Sequence, residues 1–212
     1  MAKRKISKKK VSIFVIIVIL IIAAITFFIF LDSKKDDTET IKVEDVDTIE
    51  GYDYTLKSNS TKYFKDLFKQ LKECLEADEI DEDEYAELVS KMFIADFFNL
   101  DNKISKNDVG GVQFVYEGFR DDFIKLVSTS IYKNVESNLY DDREQNLPVV
   151  TNVSIEKGDN TTFTYGDQTD DNAYVMNFEI EYDEDLDYQT SGTLTLIHND
   201  KKLEVAAMEE TN

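Results

Sequence analysis

The rhythm of hydrophobic and polar positions changes three times along this chain. Residues 11–31, VSIFVIIVILIIAAITFFIFL, carry no charge, and Ser12 and Thr26 are their only polar side chains. At about 1.5 Å per residue such a run spans roughly 31 Å as a helix, which matches a hydrocarbon core of about 30 Å and predicts a membrane span. Further on the spacing turns amphipathic. Phe64, Leu67, Phe68, Leu71, Cys74 and Leu75 recur at three-and-four intervals after the capping signal SNST, with Lys65, Lys69, Lys72 and Glu76 on the opposite face, which predicts a helix over 61–76. A second helix, 82–99, starts in DEIDEDEY, whose carboxylates complement a helix N-terminus, and continues through Tyr85, Leu88, Val89, Met92, Phe93 and Phe97. A third, 117–137, shows one face of Phe119, Phe123, Leu126, Val127, Ile131 and Val135. After Pro148, the only proline, the period drops to two. AYVMNFEIEY sets Tyr174, Met176, Phe178, Ile180 and Tyr182 against polar neighbours, and strands are predicted at 149–157, 161–165, 173–182, 189–198 and 202–208.

Helices first and one-faced strands last predict an α+β fold: a transmembrane helix, then three helices packed on a curved antiparallel sheet of four to five strands. The organisation read from the sequence is a basic tail at 1–10, the span at 11–31, an acidic tether at 32–57 and a folded domain at 58–208.

Charge orients this arrangement. The first ten residues, MAKRKISKKK, hold six cations and no acid; the chain as a whole stands at −20, so the remainder stands at −26. The positive-inside rule then keeps the tail in the cytoplasm and places the C-terminal domain outside the cell membrane. A field this negative repels phosphate backbones, so nucleic acid is excluded as a partner. The membrane itself, through 11–31, and other envelope proteins are the partners expected; oligomeric state is left open. High Lys, Asn, Ile and Asp usage with no Trp suits a bacterial chain of AT-rich coding.

Candidate chemistry is sparse. The single cysteine forms no internal disulfide, and Cys74 falls at a helical core position. One histidine and one cysteine do not make a zinc set, and His198 near a strand end reads as an exposed or packed side chain. Calcium loops need Gly at the sixth and Glu at the twelfth position. Counted from Asp101 these are Lys106 and Val112, and from Asp183 they are Tyr188 and Leu194, so neither fits. No metal and no cofactor are expected. Gly110 and Gly111, in NLDNKISKNDVGGVQFVYEG, read as a hinge in the loop between the second and third helices.

In element order and size, residues 58–208 resemble the nuclear transport factor 2-like fold, and with the span added the layout is similar to assembly factors of type IV secretion and to conjugation scaffold proteins. That resemblance implies a domain that binds other components of a complex, and a cone that can enclose a pocket. It makes one residue conspicuous. With Val89 at zero on a wheel of about 100° per residue, Met92, Phe93 and Asp96 fall near −60°, +40° and −20°, so Asp96 points inward. A bare carboxylate there costs several kcal/mol, so it needs a partner, a proton or a wet cavity. Two readings follow. Either Asp96 is structural, bonded to amides of the ISKNDVGG loop or paired with Arg120, the first partner to examine, or with Lys103; or it anchors a ligand or reaction in a pocket walled by Tyr85, Met92, Phe93 and Phe97.

Overall fold

The computed structural model describes residues 41–210. The expected basic tail, the span at 11–31 and the start of the tether lie outside the described residues. Among those described, no helix is long and apolar enough to cross a membrane.

Two capped helices form the base of the domain. Helix α1, Lys62–Leu75, begins where the Thr61 hydroxyl accepts the Phe64 N–H, and it buries the apolar stripe seen in the sequence. Helix α2, Glu82–Phe97, begins at Asp81, whose carboxylate accepts the Asp83 and Glu84 N–H groups. Three acids in its first turn suit the positive end of the helix dipole. α2 packs against α1 on one side and the sheet on the other, and is buried nearly all round.

The third helix is shorter than expected. A single 3-10 turn at Glu117–Phe119 leads into α3, Arg120–Thr129, and turns replace helix beyond it. The cause is the run Ser128-Thr129-Ser130, whose hydroxyls donate back to the carbonyls of Lys125 and Leu126 and compete with continued helix bonding. The apolar residues beyond still pack: Tyr132 and Val135 are buried.

A β-hairpin precedes the helices, in chain expected to be tether. Strands β1, Asp45–Ile49, and β2, Tyr54–Lys57, pair antiparallel, and Gly51 and Asp53 close the turn at φ of +79° and +56°. Ile49 and Tyr54 are fully buried, so the hairpin belongs to the domain.

The remaining strands are β3 (Val150–Lys157), β4 (Thr161–Tyr165), β5 (Gln168–Tyr182), β6 (Ser191–Asn199) and β7 (Lys202–Glu210). They form an antiparallel sheet of order β3-β5-β6-β7, with β4 paired to the first part of β5. Thus three helices pack on a five-stranded antiparallel sheet, with the β1–β2 hairpin alongside. The core joins Met176, Phe178, Ile180, Leu194 and Leu196 to the buried faces of the helices. A second, smaller cluster gathers Tyr165, Ala173 and Ile197 beneath Tyr116 and Phe119. It forms because β5 starts five residues earlier than its alternation announces, carrying β4 with it.

Candidate functional site

Asp96 sits in the last turn of α2 and its carboxylate is fully engaged. Lys103 Nζ donates to Oδ1 at 2.5 Å, and the Gly111 N–H donates to Oδ2 at 2.7 Å. The Lys103 side chain is 5% exposed and that of Asp96 24%. Burial is the largest single influence on the Asp96 carboxyl and raises its pKa. The Lys103 ammonium, the Gly111 N–H and the Lys57 charge together outweigh it, holding the group below the usual carboxylate range. Tyr132 completes the clasp, donating its hydroxyl to the Phe97 carbonyl and accepting the Gly110 N–H.

The two glycines are close-packed. A Cβ on Gly110 would lie 2.1 Å from the Asp96 carbonyl oxygen, and one on Gly111, at φ +76°, would lie 2.8 Å from the Phe93 ring. A Gly110→Ala variant should therefore lose about 1–3 kcal/mol, since the obstructing atom is backbone and cannot swing aside. A lowered melting temperature by circular dichroism checks this; an unchanged one means that the loop yields.

Beside Asp96 is a cavity of about 70 Å³, lined by Thr55, Lys57, Asn59, Lys103 and Gln113 among others. It has room for a few waters and is less than half the size of engineered cavities of about 150 Å³ that take a benzene ring. The expected pocket wall is elsewhere. Met92, Phe93 and Phe97 are buried in the core, where Phe93 stacks on Phe97 at 5.5 Å. Arg120 does not meet Asp96 either. Its Nη2 donates to Glu204 Oε1 at 3.1 Å and its Nε to the Val115 carbonyl at 2.8 Å. Glu204, 3% exposed, also accepts from Asn199 Nδ2 at 2.8 Å.

Tyr85 lies at another place, where three connections converge. The β1–β2 turn supplies Tyr52, the α1–α2 connection Ile80, the start of α2 Glu82, and the β6–β7 hairpin His198, Asp200, Lys201, Lys202 and Leu203; they line a cavity of about 190 Å³. The Tyr85 hydroxyl accepts the Leu203 N–H at 3.1 Å and lies 2.8 Å from that of Tyr54. Burial, above all, pushes its pKa to about 12. His198 also lines this cavity. Asp170 Oδ2 accepts its backbone N–H at 2.7 Å and contacts ring Nδ1 at 2.9 Å. This pairing escaped the sequence reading because Asp170 falls in the unforeseen start of β5. The only available signal was a lone histidine at a strand end. Among the described residues no group of three or more His, Cys, Asp or Glu side chains is placed to hold a metal ion.

The geometry thus defines an α+β domain with a clasped acid and a cavity between turns. Comparisons with protein-family models, with curated proteins and with solved structures return no match.

Proposed function

We propose that this chain is a single-span membrane protein whose outward-facing domain binds or scaffolds other envelope proteins, in a nuclear transport factor 2-like fold. The carrying observation is the uncharged run 11–31 between a tail of six cations and a strongly acidic domain. The described domain adds support. Leu126, Ile131, Leu139 and Tyr140, four of its five exposed large apolar side chains, fall within one stretch of chain. Exposed apolar side chains suit protein contact where they form one patch. The Ile41 N–H, at the first described residue, donates to the Leu139 carbonyl in that same stretch.

The competing reading, a ligand or reaction site centred on Asp96, has less support, because Lys103 and Gly111 already occupy both carboxylate oxygens. Protease added to intact cells producing the full chain should digest the domain and spare an N-terminal tag. Crosslinking to envelope proteins should weaken with Leu126→Asp and Tyr140→Asp. A domain protected from external protease ends the topology; crosslinks indifferent to both substitutions end the assigned surface.

A further inference from the structure

We infer that the cavity between the β1–β2 turn, the α1–α2 connection and the β6–β7 turn binds a small organic carboxylate with an apolar body. This does not depend on the membrane reading and involves neither Leu126 nor Tyr140.

Size limits the occupant first. At about 190 Å³ the space is comparable to engineered cavities of about 150 Å³ that take a benzene ring, and is too small for a nucleotide. One ring or a short aliphatic body with a single head group fits. The walls offer matching apolar surface: the Tyr52 ring, Ile80 and Leu203 line the space, and Tyr85 presents its ring because its hydroxyl is spent on Leu203 and Tyr54.

Charge then selects the head group. The chain has 44 carboxylates against 24 Lys and Arg, so an ammonium has abundant partners to choose from. Lys72, Lys91, Lys103, Arg120 and Lys157 take them, whereas Lys57, Lys106 and Lys125 on other surfaces form no ion pair among the described residues. Lys201 and Lys202, both lining this cavity, form no ion pair among the described residues and instead hold their ammonium groups over the Tyr52 and Tyr54 rings, at 4.5 and 4.6 Å. Glu82 and Asp200 line it too, yet neither comes within ion-pair distance of the lysines, and the nearby Glu204 is committed to Arg120 and Asn199.

The third polar contributor is His198. Asp170 fixes its Nδ1, while Nε2 makes no hydrogen bond among the described residues and is not buried. Burial, the leading influence, lowers the Lys202 pKa, and a carboxylate beside it would offset that penalty. A small, partly apolar space lined by two ammonium groups and an imidazole has the usual make-up of a ligand site.

The test uses the full chain in non-ionic detergent without a histidine tag, with benzoate as probe and benzylammonium as the charge-reversed control. Since the chain has one histidine, its ring signals in NMR need no assignment. The His198 ring resonances should shift and saturate with benzoate and stay still with benzylammonium. Lys201→Met with Lys202→Met should weaken benzoate at least tenfold while far-UV circular dichroism is unchanged. Should that double variant misfold, Lys202→Met alone is read by the same criterion. Saturation by benzylammonium alone, unsaturated drift with benzoate to about 10 mM, or saturation unaltered by the folded lysine variant would each overturn the assignment.

Discussion

An Asp96→Ala variant is expected to lose about 3–5 kcal/mol of stability in urea unfolding. The loss comes less from the bond itself than from what remains. Lys103 is 5% exposed, and without Asp96 its ammonium stays inside the protein with no carboxylate. Adding Lys103→Met to the same chain should restore part of the loss, because removing both charges also removes the desolvated orphan. Equal instability of single and double variants would mean that the Gly111 bond, not the ion pair, carries the effect. Asp96 also makes an acid-side contribution to stability. Its folded pKa lies below the unfolded value of about 3.9, so its stabilisation is complete above roughly pH 5 and fades as pH falls through the lower folded pKa. Asp96→Asn should flatten that part of the stability profile.

Phe97→Ala should cost a comparable amount, about 3–5 kcal/mol, for a different reason. The ring is fully buried and lies against Phe93, Phe98, Phe123 and Tyr132, with centroids between 4.7 and 5.9 Å apart. Truncation leaves a void where four aromatic groups meet, and none can fill it without leaving its other neighbours. Phe97→Leu should lose much less, and a measured loss equal to that of Ala would show that ring stacking rather than volume dominates.

The two predictions concern adjacent residues that were legible to different degrees. Phe97 follows from three-and-four periodicity, and the ends of α1 and α2 follow from Thr61 and Asp81, because caps and amphipathic faces are local properties. That Asp96 faces inward was equally local. Its partners were harder: the loop amides and Lys103 were among those expected, but Arg120 was the first choice, and Arg120 instead meets Glu204, 84 residues on. Nothing near Arg120 in sequence announces a buried acid on a strand. The third helix was overextended because its apolar spacing continues past Thr129 while the hydroxyls that end it look like ordinary polar positions. The β1–β2 hairpin hid inside an acidic stretch whose two informative residues, Ile49 and Tyr54, are too few to set a period. The His198 cavity is built from turns on three separate connections and was invisible for that reason.

The outer edge of β3 shows how the sheet ends. The Val153 N–H is taken by the Tyr63 hydroxyl of α1 at 2.9 Å and the Val150 N–H by Asn99 Oδ1, just past α2, at 3.0 Å. On the opposite side the Val205 carbonyl is taken by the Tyr116 N–H. Open strand edges recruit other chains by backbone pairing, and proteins that crowd together must blunt them. Here the blunting is done by side chains already needed for packing, so copies of this acidic domain gathered at high local density lack the template for edge-to-edge stacking into fibrils at Val150, Val153 and Val205.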